Sequence, residues 1–578
     1  GSSLSATGFT GGGDVLVGGD WQGGNNAARR IFDNPDQLRE ATTVTMEAGA
    51  SIDASATDNG DGGTVVLWSD VGHSDSVTTV NGHISGRGGR NVGNGGRIET
   101  SGHKLLVDAL SVDASAGQGV GGEWLLDPYN ISISSAATSG TGDSSASGVQ
   151  TYAAAGSSSN INAGTITSAL GGGTSVTVTT GSSGSDLGDI VVSAAITSAS
   201  SSDVRLRLQA ANSIIVNNAI TASGNGKLHI ELDADSDNGT RDGGGIVMLS
   251  ADIVTNGGDL TFGGTTSNGA TGGDLYVDGG ASAITATTNG GAVNINGQLI
   301  VSTSHATGFS INSGGGNVNI GGSIDSGNSY TFFSASSGGS WLSAAQDAKN
   351  GTNGGSAEGD SYLVSITSKL ENSIATYKAG YRGAWIGAYR DPNTTSWYWV
   401  GGPEAGGTYA VSGASPLTAV VGANGASFFT QSSGSNLNTA GQYSNGSLTS
   451  SGVFANFGAG EPNGSGTGGE NVGQFFDALG LWNDLPKGTS YSTNTSPYAV
   501  WGYLRETNAA PSVVNINAGA GGVTLNAATG ANKALASLNV TAGVLTASAL
   551  NTSSGVNVTT SAASVISGVV SGTGALTK

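Results

Sequence analysis

Cysteine is absent from all 578 residues and methionine occurs only twice. Without thiols the chain can build no disulfide scaffold, no cysteine nucleophile and no thiolate zinc site. Basic residues are also scarce: 20 Lys and Arg stand against 41 Asp and Glu, a net charge of −21. A nucleic-acid binder needs a basic stripe to neutralise phosphate, and none is present; anionic membrane surfaces are disfavoured for the same reason. No apolar run approaches the ~18 residues of a membrane helix. The five histidines (His73, His83, His103, His229 and His305) are scattered. No HExxH or Cys/His spacing points to catalytic zinc, and no GxSxG elbow is found. With neither an initiator Met nor a signal peptide before Gly1, the sequence reads as a piece from the middle of a longer protein.

What is abundant is glycine, 101 residues, together with Ser, Thr, Ala, Asn and Asp. Such composition alone would fit disorder, but Val, Ile and Leu recur in short alternating runs, which predicts many short strands. A glycine pair followed by alternating apolar residues repeats at Gly62-Gly63, Gly95-Gly96, Gly121-Gly122, Gly257-Gly258, Gly272-Gly273, Gly290-Gly291 and Gly315-Gly316. It resumes at Gly521-Gly522. The last intervals before the break are 15, 18 and 25 residues, so the period is loose. Stacked turns of a parallel β-helix account for the pattern, with glycine at φ > 0 corners and a thin continuous core; a set of β-sandwiches with Gly-rich turns is the alternative. The segments Gly62–Asp70 (GGTVVLWSD), Gly95–Leu105 (GGRIETSGHKL) and above all Trp124–Ile131 (WLLDPYNI) resemble the filamentous-haemagglutinin family of secreted adhesins. That resemblance implies a β-helical stalk, exported by an outer-membrane partner transporter to the bacterial cell surface. The amino-terminal secretion motifs of that family are not found.

Composition changes between Tyr330 and Thr507. Six of the nine tryptophans fall there (Trp341, Trp385, Trp397, Trp399, Trp482 and Trp501). Trp341–Asn350 and Ser368–Ala379 read as helices and Tyr362–Ile366 as a strand, so residues 330–507 are expected to form an α+β globule. The globule would be spliced between a stalk at 1–329 and its continuation at 508–578. Glu461-Pro462-Asn463, Glu470 and Trp482-Asn483-Asp484 offer three carboxylates and two amide carbonyls, all hard oxygen donors. Calcium takes 6–8 oxygens at about 2.3–2.6 Å, so five side chains and a backbone carbonyl leave positions open. Pro462 is a candidate for a cis peptide bond.

The order of these elements, with Trp385-Ile386-Gly387 and a closing aromatic strand at Tyr498–Leu504, resembles the C-type lectin-like domain. The resemblance implies that Glu461, Asn463, Glu470 and Asn483 bind both Ca2+ and two vicinal sugar hydroxyls, and that Asp484 binds Ca2+ by side chain and backbone. It also implies that an EPN sequence goes with mannose-, glucose- or fucose-type sugars. The sequence departs from that family in lacking disulfides, with Val472 at a usual cysteine position, and in a long, nearly uncharged insertion at 401–450. Gly464 and Asn471 stand where some relatives bind an auxiliary calcium.

The expectation is therefore a mainly β protein, a right-handed parallel β-helix with an inserted α+β C-type lectin-like domain. It acts as a secreted adhesin for cell-surface or exopolysaccharide glycans, with no catalytic residues, no nucleic-acid partner and no membrane span. Two alternatives are a calcium-stabilised protein- or ice-binding module, for which Val176–Thr180 (VTVTT) is the Thr-rich motif, and a polysaccharide-degrading β-helix, for which Asp233 and Asp235 are the only acidic pair noted. Those two aspartates are read as a solvated loop, and Glu371 as a helix-surface charge.

Overall fold

The computed structural model describes residues 1–24, 38–73, 75–107, 110–128, 130–136, 158–180, 188–236, 245–264, 273–334, 339–350, 361–390, 396–402, 411–412, 419–420, 427–430, 454–458, 461–462, 470–476, 480–486, 488–491, 499–572 and 575–577. The protein is mainly β, with long parallel sheets. Three dominate. One of 13 strands runs from Asp14–Val17 to Val565–Ile566, one of eight from Ser158–Asn162 to Ile324–Ser326, and a third of 10 strands starts at Ile196–Ser198. The chain visits the sheets in turn, and each strand pairs in parallel with the one laid down on the previous pass. Val204 thus lies beside Leu228, Leu260 beside Val293, and Val293 beside Val318.

Alternation explains why short segments suffice. In Val204–Gln209 the residues Val204, Leu206 and Leu208 are buried while the basic and amide side chains between them face outward, as a strand with one solvated face requires. The inward residues form one continuous core from Val44 to Val558. Trp124, fully buried between Ile98 and Val176, also donates from Nε1 to Thr100 Oγ1 at 3.1 Å.

The glycine pairs have a different cause from the one expected in the early passes. Neither Gly62 nor Gly63 has a positive φ. A Cβ on Gly63 would lie 1.9 Å from the carbonyl oxygen of Gly13 on the adjoining pass; close approach of backbones, not a left-handed corner, demands glycine there. At Gly290-Gly291 both causes operate: Gly290 has φ +119° and Gly291 meets the Gly258 carbonyl. The short intervals of 15 and 18 residues also have a simple origin. The strand after Gly272-Gly273, Leu275–Gly280, belongs to the eight-stranded sheet, whereas the strands after the other pairs belong to the 13-stranded one.

The 13- and 10-stranded parallel sheets run uninterrupted past residues 330–507. Phe309 pairs with Val514 and Val318 with Val523, and Gly522 N–H donates to Asn317 Oδ1 at 2.8 Å. The intervening chain forms its own mixed sheet, whose first strand, Ser329–Ser334, pairs antiparallel with its last, Gly502–Thr507. Three α-helices are described: α1 (Ala163–Gly171), α2 (Trp341–Asn350) and α3 (Lys369–Lys378). The strand expected at Tyr362–Ile366 is Ser361–Leu363, and the closing strand lies at Gly502–Thr507 rather than Tyr498–Leu504.

This mixed sheet and α3 rest on the outer face of the eight-stranded parallel sheet. There Val191, Ile215, Met248, Tyr276 and Ile300 follow one another on consecutive strands and share a core with Ile374, Leu370 and Leu504. Polar contacts frame the apolar seam: Lys378 pairs with Asp278, Tyr381 donates to Asp189, and Asn217 Nδ2 donates to Tyr377 at 3.4 Å.

Candidate functional site

Trp482 organises the corner in which the predicted ligands lie. Its ring is fully buried, edge-on to Trp399, Phe454 and Phe457 at centroid distances of 5.6, 5.8 and 5.5 Å. Its Nε1 donates to Asn372 Oδ1 of α3 at 2.9 Å. Such edge-on packing and a satisfied indole N–H fix the ring, and with it the strand Trp482–Leu485 that carries Asn483 and Asp484.

That strand is flanked on both edges. On one side Trp482 N–H donates to Asn456 O at 2.8 Å and Gly458 N–H to Trp482 O at 2.9 Å; Glu461 N–H then turns back to Gly458 O at 3.0 Å. On the other side lies Val472–Phe475, paired antiparallel, with Asn471 N–H donating to Leu485 O at 3.0 Å. Glu470 immediately precedes it, its carbonyl accepting from Arg390 Nη2 at 2.8 Å. Glu461 and Glu470 thus stand on opposite edges of the strand bearing Asn483 and Asp484. The Glu461–Pro462 peptide bond is cis. Asn463 lies outside the described residues.

Regular pairing sets Gln474 opposite Asn483 and Gly473 opposite Asp484, so alternation turns Asn483 and Asp484 to opposite faces of the strand pair. Both are buried, at 2% and 0% exposure, and Glu461 and Glu470 are half-exposed. Among the described residues no three His, Cys, Asp or Glu side chains are gathered as a metal-binding group. The donor set suits a hard cation of the calcium type, since every predicted ligand is an oxygen. A further observation fits a missing electropositive partner: the buried Oδ1 atoms of Asn456 and Asn471, which flank the corner, and Oε1 of Gln474 lack hydrogen-bond partners among the described residues. Buried polar atoms are nearly always partnered, so such groups point to water or an ion.

Other expected roles move. Asp233 and Asp235 are buried rather than solvated, at 4% and 6% exposure; Asp233 ends a strand and accepts from Gln209 Nε2 at 3.2 Å. Within VTVTT, Val176 and Val178 face the core and Thr177 is bonded to Glu123 Oε1 at 2.6 Å. This leaves no open threonine row at that motif. Glu371 is no free surface charge. Its carboxylate accepts from Thr367 N–H and Oγ1 at 2.8 and 2.7 Å and from Tyr330 OH at 3.1 Å, while Ser368 Oγ caps the Glu371 N–H at 3.1 Å. This is a reciprocal cap of the S-x-x-E type. Burial pushes the Glu371 carboxyl above its ordinary range against those bonds.

Sequence reasoning missed the seam. A cleft of about 800 Å3 opens beside α3, lined by Asp274, Lys369, Glu371, Asn328 and Lys533 among others. Burial raises the Asp274 carboxyl to about 6, opposed by a bond from Gln298 N–H. The available signal lay in strands that read apolar on both faces, Ile190–Val192, Ile214–Val216 and Val247–Leu249, since a run buried on both sides implies that something covers the outer face. No known family model matches the chain, and no curated protein matches it.

Proposed function

We propose that this chain is a secreted adhesin of the bacterial cell surface, a right-handed parallel β-solenoid (residues 1–329 and 508–578) that displays a C-type lectin-like module (330–507). The module would bind glycans through Ca2+. Repeated in-register parallel pairing around one continuous core supports the solenoid, since in such repeats each turn covers the open edge of its neighbour. The observation that carries the ligand reading is the corner itself, with Asn483 and Asp484 on a strand flanked by the segments of Glu461 and Glu470.

Glu461, Asn463, Glu470 and Asn483 would hold the ion through side-chain oxygens, and Asp484, whose side chain turns to the other face, through its backbone carbonyl. When bound, calcium supplies a positive centre with open positions for two vicinal hydroxyls. The carboxylates of Glu461 and Glu470 would accept the hydroxyl protons, and the amides of Asn463 and Asn483 would donate to the hydroxyl oxygens. The Glu-Pro-Asn order favours mannose-, glucose- or fucose-type diols. One such contact in an open site is weak, on the order of millimolar, and many stalks on one surface would convert it to firm attachment through effective concentration. Export through an outer-membrane partner transporter belongs to the same reading. Among the described residues no helix is long and apolar enough to cross a membrane.

The test is a glycan array probed in calcium, in EDTA, and after calcium is restored. Binding to mannose-, fucose- or glucose-type glycans that disappears with EDTA and returns with calcium is expected. A calcium-replete protein that captures none of them overturns the lectin reading.

A further inference from the structure

Where the chain leaves the parallel sheets and where it returns, three side chains from distant parts of the sequence meet at one amide. Asn328 lies just before the strand Ser329–Ser334, Glu506 lies on the strand Gly502–Thr507, and Lys533 lies on the next pass of the parallel sheets, 205 residues from Asn328. Lys533 Nζ sits 2.6 Å from Asn328 Oδ1, and Asn328 Nδ2 sits 2.5 Å from Glu506 Oε1. With a carbonyl bond of about 1.2 Å, the amide carbon lies roughly 3–4 Å from the lysine nitrogen, near attack distance.

Glu506 is fully buried, and Tyr362 OH and Ser365 N–H also donate to it, at 3.1 and 3.0 Å. We propose that Lys533 and Asn328 form an intramolecular isopeptide bond, with Glu506 as the catalytic carboxyl. Lys533, at the open cleft, loses a proton to water and the Glu506 carboxylate takes one up, leaving a neutral amine and a carboxylic acid on either side of the Asn328 amide. The Nζ lone pair attacks Cγ of Asn328, and the Nζ–Cγ bond forms. Glu506 gives its proton to Nδ2 and takes one from Nζ as the Cγ–Nδ2 bond breaks, and ammonia leaves. No oxidant or co-reactant is needed. Lysine is a nucleophile only when neutral, and burial lowers the Lys533 pKa, partly offset by the negative charge of Glu506. Because the reaction happens once and is carried forward by loss of ammonia, a small neutral fraction suffices.

Ala509 O and Asn508 Oδ1 also lie close to Lys533 Nζ, at 2.7 and 2.9 Å, but of the two asparagines Asn328 is the one bonded to the buried acid. The product would lock the base of the inserted module to the neighbouring pass by a covalent bond, at the point where a pull on the module is transmitted to the stalk. This inference is independent of calcium and sugar binding.

The experiment is intact mass spectrometry of the full chain followed by peptide mapping. The expected mass is lighter than the sequence mass by one ammonia, with the Lys533 peptide joined to the Asn328 peptide. Lys533→Arg and Glu506→Gln should each restore the full sequence mass. Folded protein at its unmodified mass, a deficit that persists in Lys533→Arg, or a cross-link that maps to Asn508 would each overturn the assignment. A deficit arising from succinimide formation at an Asn-Gly step is separated from it by persisting in both variants.

Discussion

The phenol of Tyr381, just beyond α3, donates to the carboxylate of Asp189 at the start of the strand Ile190–Val192 in the eight-stranded parallel sheet, across 192 residues of sequence. Asn212 Nδ2 and Ser213 N–H donate to the same carboxylate at 2.7 and 2.9 Å. Three donors favour the ionised form, yet burial outweighs them and raises the Asp189 carboxyl from 3.8 to about 6.

A raised carboxyl makes folding more favourable at low pH. Its contribution is fully present below the unfolded pKa and is lost as pH rises through about 6. Asp274 at about 6 and Glu99 at about 7, both raised mainly by burial, act with the same sign. Calcium-free protein is therefore expected to melt at higher temperature at pH 5 than at pH 8. Asp189→Asn should flatten part of that slope, by on the order of 3 kcal/mol at most. Tyr381→Phe removes a donor and should cost about 1–2 kcal/mol. Calorimetry from pH 4.5 to 8.5 checks all three, and a melting temperature rising with pH in calcium-free buffer would contradict the assignment.

Under the proposed function, calcium would add a pH effect of opposite sign. Its ligands must be deprotonated, so the stabilisation it gives should shrink as pH falls, and chelator should remove it. At a free concentration 100 times the Kd, bound calcium stabilises by about 2.7 kcal/mol. Asn483→Ala is expected to weaken calcium at least tenfold, about 1.4 kcal/mol, in isothermal titration, and Asp484→Asn, on the other face of the strand, to weaken it less. Unchanged affinity in Asn483→Ala would remove that residue from the site.

Glycines divide by surroundings. A Cβ on Gly96 would lie 2.1 Å from the Gly63 carbonyl, whereas one on Gly171, at the end of α1, meets nothing within 4 Å. Gly96→Ala should destabilise by about 3 kcal/mol or more through backbone displacement. Gly171→Ala should be neutral or stabilise by up to about 1 kcal/mol, because it restricts the unfolded chain. Chemical denaturation of the two variants side by side separates these outcomes.

The cap of α3 gives a local prediction. Ser368→Ala removes the bond to Glu371 N–H, a loss of about 1 kcal/mol. Amides in the first turn of α3 should then exchange roughly fivefold faster, and Ser368→Asp should restore most of the protection. Equal exchange in all three proteins would show that the cap does not hold the helix end.

Much of this architecture was legible locally. Alternation in segments such as Val204–Gln209 marks a strand with one buried face, and the periodicity of Trp341–Asn350 and Lys369–Lys378 marks two helices within a residue of their observed ends. The residue types at Glu461, Glu470, Asn483 and Asp484 are all side-chain oxygen bearers, which the sequence alone records. These features depend on neighbours in the chain, and sequence records neighbours directly.

Contacts between distant residues were not legible. Nothing in the sequence near Asp189, Asp278 or Lys533 names Tyr381, Lys378 or Asn328 as its partner, because each partner is set by how many residues one pass around the sheets consumes. Glu371 reads as a surface charge until Tyr330 and Thr367 are folded over it, and the glycine pairs read as corners until the next pass lies against them. Composition and alternation determined that this chain would be built of short stacked strands interrupted by an α+β globule. Only the tertiary structure decided which polar groups were taken out of water together, since burial, and the bonds that offset it, are properties of packing between passes and not of any single segment.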